Sequence, residues 1–164
     1  MGKGGSRTPR ALATLAFVAL LAGCGKSATR EGEVLVRAYN DAAIAAYLTG
    51  DLRPLTAVAV PGEVQKVGVL VDFKTSAGLV LESRLEELKV TSAEKRPRDF
   101  LVRTRERWRY RDRPARAGPP AGPESVAVMT LEYHFVPDGE RWKLVEAKAL
   151  TSEALDPATP VRSP

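Results

Sequence analysis

The stretch that decides the fold is Phe100-Leu-Val-Arg-Thr-Arg-Glu-Arg-Trp-Arg-Tyr-Arg111, in which two kinds of side chain alternate. One face is mainly apolar, is interrupted by Glu106, and comprises Phe100, Val102, Thr104, Trp108 and Tyr110. The other face carries an arginine row, which comprises Arg103, Arg105, Arg107, Arg109 and Arg111. A period of two is typical of a strand with one buried face. The stretch therefore predicts a strand that lies over a core.

The chain before this strand has a helical period. Apolar residues recur every three or four positions from Glu33 to Gly50, which predicts an amphipathic helix with Arg37, Asn40 and Asp41 outside its apolar stripe. Asp51 is suited to cap a short second helix that continues to Ala59. A third helix is expected from Glu63 to Ser76, with three valines facing inward, namely Val64, Val67 and Val71.

Further strands are expected on both sides of the arginine row. One begins at Leu79, another runs from Val126 to Val136, and a last one runs from Arg141 to Leu150 after a turn at Pro137-Asp138-Gly139-Glu140. Helices followed by hairpin-connected strands indicate an α+β fold, with N-terminal helices packed on a curved antiparallel sheet of about four strands. The proline-rich segment 151–164 is expected to be a disordered tail.

The N-terminus has the layout of a signal peptide. Lys3, Arg7 and Arg10 precede an apolar run from Ala11 to Leu21, which is shorter than the roughly 20 residues of a membrane-spanning helix. The formal charge of +5 falls to +2 without residues 1–23, so the excess of basic residues lies partly in this segment. We expect no nucleic-acid partner.

Leu21-Ala22-Gly23-Cys24 resembles the bacterial lipobox, and Cys24 is the only cysteine of the chain. The resemblance implies cleavage between Gly23 and Cys24 and acylation of Cys24, which would anchor the protein to a membrane. The alternative is an ordinary signal peptide or a short buried helix with an inert cysteine. We therefore divide the chain into a lipoprotein signal peptide (1–23), a lipidated tether (24–32), a domain (33–150) and a tail (151–164). Gly25 follows the cysteine where an aspartate would resemble an inner-membrane retention signal, which favours the outer membrane, facing the periplasm.

Three segments resemble the nuclear transport factor 2-like superfamily of cone-shaped, cystatin-like α+β domains, over roughly Arg30 to Leu150. They are the helix end Ala46-Tyr47-Leu48-Thr49-Gly50-Asp51-Leu52, the strand Arg107-Trp108-Arg109-Tyr110 and the hairpin Tyr133 to Val145. The chain looks in particular like the small domain shared by plastid-division proteins and many bacterial envelope proteins. Members of the superfamily serve as enzymes, ligand binders and interaction modules, so the fold alone does not choose among these functions.

The arginine row is the first candidate site. Residues 95–116 have a net charge of +7, which leaves −5 for the rest of the mature chain. Guanidinium groups spaced about 6 to 7 Å apart along a strand can bind phosphates or carboxylates of an anionic ligand or an envelope protein. The alternative is that the row keeps the outer face of the sheet soluble and is paired with glutamates on neighbouring strands, such as Glu86 and Glu132.

The interior of the cone is the second candidate site. Five aromatic residues could line a pocket or fill a core, namely Tyr39, Tyr47, Trp108, Tyr110 and Trp142. Enzymes that resemble ketosteroid isomerase place a carboxylate inside the cone, and here Asp72 or Glu106 would have to serve. His134 is the only histidine, so the chain offers no set of metal ligands, and we expect neither a metal nor a cofactor.

These observations predict an envelope-anchored lipoprotein with a non-catalytic binding or protein-interaction domain. One alternative is a carrier that holds a small apolar or anionic ligand in the cone cavity. An isomerase-like enzyme is the alternative with the least support. A cone filled by its own side chains would exclude both alternatives.

Overall fold

The computed structural model describes residues 17–157 of the chain, with side chains from Lys26 onward. The elements are the helices α1 (Phe17–Thr49), α2 (Arg53–Thr56) and α3 (Pro61–Ser76), followed by the strands β1 (Leu79–Lys95), β2 (Phe100–Pro114), β3 (Ser125–Asp138) and β4 (Arg141–Leu155). The strands form one antiparallel sheet in the order β1-β2-β3-β4. The predicted α+β architecture, with helices before a four-stranded antiparallel sheet, is confirmed.

The helices cover one face of this sheet. Helix α1 lies mainly against β1, and α3 contacts both edge strands, β1 and β4. The predicted alternation of β2 is confirmed, since Phe100, Val102 and Thr104 are fully buried while Arg103 and Arg105 are exposed. The core joins apolar residues of the helices to those of the inner sheet face, and its largest fully buried members are Tyr133, Phe100, Phe135, Leu55 and Leu144.

Helix α1 is longer than the pattern predicted. Residues 24–32 continue the helix, so the prediction of a tether followed by a helix start at Glu33 was wrong. A glycine costs a helix only about 1 kcal/mol, and Gly32 lies where α1 approaches β2 closely. A Cβ atom on Gly32 would stand 2.9 Å from a methyl carbon of Val102. Gly32 is therefore a packing contact between α1 and β2.

A short segment ties the helical half to the last strand. Asp51 accepts a hydrogen bond from the backbone N–H of Arg53 at 2.9 Å, but the N-cap residue of α2 is Leu52. Helix α2 ends at Thr56, so the prediction that it continues to Ala59 was wrong. Ala59 then forms an isolated parallel bridge with Leu144, in which the N–H of Val60 donates to the Leu144 carbonyl at 2.8 Å. The edge of β4 is thereby covered at this point.

The sheet is long-stranded and interrupted by β-bulges. Register shifts occur between Leu85 and Glu87, between Val90 and Ser92, and twice in the pairing of β3 with β4. Bulges bend strands and increase their twist. Gly139 has a φ of +63° in the two-residue loop between β3 and β4, as the predicted turn requires. Strand β4 continues to Leu155, so the prediction that the tail begins at residue 151 was wrong.

Some predictions concern parts of the chain that the structure does not describe. Residues 1–16 of the expected signal peptide and residues 158–164 of the expected tail lie outside the described residues. The side chain of Cys24, at the expected cleavage site after Gly23, is also not described. Among the described residues, no helix has the length and apolar character needed to cross a membrane.

Candidate functional site

A cavity that is partly open to solvent lies between α1, α3 and the inner face of the sheet. Its volume is about 460 Å³, within the range of small-molecule sites. Much of its wall is apolar, including Ala43, Val67, Leu70, Met129 and Leu131. The protein's own side chains leave this cavity unfilled beside the packed core.

A buried carboxylate lies directly behind this wall. Glu106 is 1% exposed, and each of its oxygens accepts hydrogen bonds from two residues. The hydroxyls of Thr104 and Tyr133 donate to Oε1, both at 2.8 Å. The indole N–H of Trp108 donates to Oε2 at 2.7 Å, and the amide of Asn40 donates to the same atom at 3.3 Å. We call these five residues the inner cluster.

Strand geometry explains the inner cluster. Thr104, Glu106 and Trp108 occupy alternate positions of β2, so their side chains leave the same face of the sheet. Tyr133 lies on the adjacent strand, where the register pairs it with Val102. Burial and the charge of Glu106 raise the pKa of Tyr133 well above its usual value, so its hydroxyl remains a donor. Four donors compensate for removing the carboxylate from water.

A second carboxylate reaches the cavity from the first turn of α3. Glu63 is 3% exposed, and its Oε1 accepts a hydrogen bond from the hydroxyl of Tyr39 at 2.9 Å. Burial, together with Glu63, raises the pKa of Tyr39 far above its usual value. Oε2 is buried and has no well-directed hydrogen bond within the described chain. The ammonium of Lys66 lies 3.1 Å from Oε2, as an ion pair of poor angular geometry.

Most of the predicted pocket residues are brought together. Tyr39, Tyr47, Trp108 and Tyr110 line the cavity. Trp142 does not line the cavity and instead packs against the core, which was the alternative for this residue. It lies beside the β3–β4 turn, where its ring meets Phe100 edge-on with 5.7 Å between centroids.

The two carboxylates considered for an enzyme are placed differently. Glu106 points inward, whereas Asp72 is exposed on α3 and does not line the cavity. His134 is half-buried on β3, where the register pairs it with Glu146. Among residues 26–157, whose side chains are described, no group of three or more histidine, cysteine, aspartate or glutamate residues could hold a metal ion.

Several cavity residues were missed by the sequence analysis. Asn40 was placed outside the apolar stripe of α1, but it is 3% exposed and belongs to the inner cluster. Glu63 precedes Val67 and Val71 at four-residue steps, so a charge on the apolar stripe of α3 was a signal that could have identified it. Lys66 and Ser83 also line the cavity, and neither carries a recognisable pattern.

The arginine row lies on the outer face and is largely paired within the protein. Glu86 accepts hydrogen bonds from Arg107 at 2.8 Å and from Arg109 at 2.5 Å, and Glu132 accepts one from Arg103 at 2.7 Å. The predicted pairing with Glu86 and Glu132 is confirmed. Two further pairs complete the ladder, Arg109 with Glu124 and Arg111 with Glu82. Arg105 is exposed, and its register partners are Lys89 and Thr130.

Comparison with known proteins agrees with the architecture. The chain is similar to the crystal structure of the intermembrane space region of the chloroplast protein ARC6, with a TM-score of 0.65 and 18% sequence identity. The match covers 74% of this chain and 95% of that chain. No family model matches the chain, and no curated protein is significantly similar to it. At this level of identity, the likeness shows a common fold.

Proposed function

We propose that this protein is a bacterial envelope lipoprotein whose nuclear transport factor 2-like cone binds a small, largely apolar ligand without chemistry. The observation that carries the binding function is the cavity of about 460 Å³. Burying a ligand there removes apolar surface from water, at about 25 cal/mol per Å². The assignment of the fold to this superfamily is supported by the helices followed by a long-stranded, bulged antiparallel sheet.

The contacts of Glu106 favour binding over catalysis. A general base needs a free oxygen within hydrogen-bond reach of the substrate. Both oxygens of Glu106 are already engaged by donors, and the carboxylate is 1% exposed. We therefore assign Glu106 to holding the cavity wall in place, where it orients Trp108 and Tyr133.

The charges around the cavity disfavour an anionic ligand. Glu63 and Glu106 place two carboxylates in or behind the cavity wall, against the single ammonium of Lys66. A buried anion beside like charges is costly. The arginine row is also a weaker candidate for an anionic partner, because most of its guanidinium groups already contact carboxylates.

The compartment is proposed from the N-terminal sequence. Leu21-Ala22-Gly23-Cys24 supports acylation of Cys24 and attachment to the outer membrane, with the domain in the periplasm. Two or three acyl chains hold a protein on a membrane essentially permanently, since each buried methylene contributes about 0.8 kcal/mol. Cys24→Ser should abolish labelling by a lipid probe and release the protein from membranes. Retention of the unlabelled variant would contradict the anchor.

Ligand binding can be tested with an apolar probe and a cavity-filling variant. A neutral dye such as Nile red should bind the purified domain and gain fluorescence. Ala147 lines the cavity, so Ala147→Phe should weaken dye binding. Ala154→Phe is the matched control, because Ala154 is exposed on the same strand and is not part of the cavity wall. Equal binding by wild type and both variants would place the dye elsewhere and contradict the proposal.

A further inference from the structure

We propose that the ligand of the cavity carries a cationic group, such as a primary ammonium, which binds Glu63 in place of Lys66. This inference rests on the proposed function, since it names the chemistry of the ligand that the cavity would hold. It begins from an incompletely paired carboxylate. Oε1 of Glu63 is satisfied by Tyr39, whereas Oε2 is buried without a well-directed hydrogen bond among the described residues.

Lys66 is a poor permanent partner for this oxygen. The side chain of Glu63 is only 4% exposed, but that of Lys66 is 57% exposed, so the ammonium reaches a buried carboxylate from the solvent side. The two residues lie three positions apart on α3, and their contact is an ion pair at 3.1 Å with poor hydrogen-bond geometry. An ammonium placed inside the cavity can approach Oε2 without this constraint, and a buried charged hydrogen bond is a strong one.

Lys66 also has a second acceptor beside it. Its ammonium lies 3.7 Å from Oε1 of Glu146, which is 53% exposed on β4. Lys66 can therefore move to Glu146 when a ligand occupies Glu63, and the exchange leaves neither lysine nor ligand unpaired. The lysine then acts as a replaceable counterion at the cavity mouth.

The surroundings of Glu63 suit a cation with an apolar body. The rings of Tyr39 and Tyr47 line the cavity, and ring faces attract ammonium groups. Burial, and after it the charge of Glu63, raises the pKa of Tyr47 above its usual value. Ser83 adds a hydroxyl on the β1 wall, whose buried Oγ has no hydrogen-bond partner within the described chain.

The net negative charge around the cavity also favours a cationic ligand. Glu63 and Glu106 contribute two negative charges to the cavity and its wall, and Lys66 contributes one positive charge. A singly charged cation takes the place of Lys66 beside Glu63 once Lys66 has turned to Glu146, so the exchange leaves the net charge around the cavity unchanged. A neutral ligand leaves Oε2 dependent on Lys66, and an anion adds a third negative charge in a place of low dielectric constant.

The test compares three probes with the same alkyl chain by titration calorimetry near pH 7, where an alkylamine is protonated as lysine is. Octylamine should bind at least about tenfold more tightly than octanol, and octanoate should bind most weakly. If octylamine binds no better than octanol, the inference is overturned while the proposed function stands. If none of the probes binds and Nile red does not bind either, the proposed function fails.

Two variants identify the group that recognises the cation. Glu63→Gln should remove the preference for octylamine over octanol, provided that its thermal unfolding remains cooperative. Lys66→Met keeps the aliphatic stem but removes the competing charge, so it should tighten octylamine binding several-fold. Lys148→Met on the exposed part of β4 is the matched control and should change nothing. Weaker octylamine binding by Lys66→Met would overturn the exchange, even if Glu63→Gln did not fold.

Discussion

Both faces of the sheet carry charged side chains, but these charges are stabilised in different ways on the two faces. On the outer face, the arginine row meets glutamates across the strands, and each guanidinium group retains access to solvent except that of Arg107, which is 6% exposed. On the inner face, Glu106 has no cationic partner among its four hydrogen-bond donors. A charge at the surface is stabilised by water and by opposite charges, whereas the buried carboxylate depends on aligned neutral donors.

This difference determines which face of the sheet can bind a ligand. On the outer face, arginines and glutamates already form ion pairs with one another, so an incoming anion would have to displace the carboxylates that the arginines bind. The inner face has an open cavity, with Glu63 Oε2 and Ser83 Oγ lacking hydrogen-bond partners among the described residues. The arginine row, which is the clearest pattern in the sequence, is thus mostly paired within the protein. The candidate site is formed by cavity residues such as Glu63 and Ser83, which the sequence pattern did not indicate.

The largest effect should follow from removing the inner carboxylate. Glu106→Leu is similar in size but removes the acceptor of Thr104, Trp108 and Asn40, while Tyr133 keeps Asn40 Oδ1 as an acceptor at 3.3 Å. The free energy of unfolding should therefore fall by about 3–4 kcal/mol. Urea denaturation followed by circular dichroism measures the change. Glu132→Leu on the outer face is the matched control and should cost less than about 1 kcal/mol, because its partner Arg103 is exposed. Equal losses for the two variants would contradict the contrast between the faces.

A milder variant sharpens this result. Glu106→Gln keeps an acceptor for Trp108 and Asn40, and the hydroxyls of Thr104 and Tyr133 can rotate to accept from the new amide. The loss should therefore lie well below that of Glu106→Leu. A loss as large as that of the leucine variant would show that the negative charge, rather than hydrogen bonding, holds the inner cluster together.

The next effect concerns alkaline pH. The pKa values of Tyr39 and Tyr133 are raised in the folded protein, mainly by burial, while in the unfolded chain both ionise near pH 10. The stabilisation is therefore complete below about pH 10 and is lost as the pH rises towards the folded-state values, by about 1.4 kcal/mol per pH unit for each tyrosine. Urea denaturation at a series of pH values measures the slope.

Single substitutions test the assignment of this slope. Tyr133→Phe removes one ionisable group, and the decline of stability above pH 10 should become shallower by about the contribution of one tyrosine. Tyrosinate absorbance of these two residues should appear only as the wild-type protein unfolds. If it appears while the native circular dichroism spectrum persists, neither ring is as inaccessible as the structure indicates.

A smaller effect is expected from the outer face. Glu86 bridges Arg107 and Arg109, and these contacts, above all that with Arg109, lower the pKa of its carboxyl group. Glu86→Gln should reduce the free energy of unfolding by about 1–2 kcal/mol near neutral pH. The wild-type advantage should be present above about pH 4.5 and disappear as the pH falls through the lowered pKa. A constant difference between pH 7 and pH 2 would mean that the charge of Glu86 contributes nothing.

The sheet was predictable because a period of two specifies faces directly. The alternation from Phe100 to Arg111 fixed which residues of β2 face the core, and the pairing of the arginine row with Glu86 and Glu132 followed from the same pattern. The long extension of β4 to Leu155 was not predictable, because residues 150–155 are mostly exposed and lack an apolar face. Their strand conformation comes from pairing with β3.

The cavity was only partly predictable, because polar residues become buried through partners that are distant in sequence. Asn40 is buried in contact with Glu106, which lies 66 positions away in the sequence. No local sequence pattern predicts such a contact. The sequence left Trp142 open between cavity and core, because only the register of the edge strand β4 places it opposite Pro137, near the turn. The close contact of Gly32 with Val102 is also tertiary, so the sequence did not indicate that α1 extends through residues 24–32.

The smallest effect should come from Arg105, and it separates the members of the arginine row. Arg105 is exposed, with Lys89 and Thr130 as its register partners, so Arg105→Glu should change the free energy of unfolding by less than about 0.5 kcal/mol. Arg109→Glu should be clearly more destabilising, because it places a third carboxylate between Glu86 and Glu124. Thermal unfolding of the two variants at low ionic strength measures the difference, and salt should reduce it by screening. Equal stability of the two variants would mean that the row behaves as independent solvated charges, and an anion could then compete for its guanidinium groups.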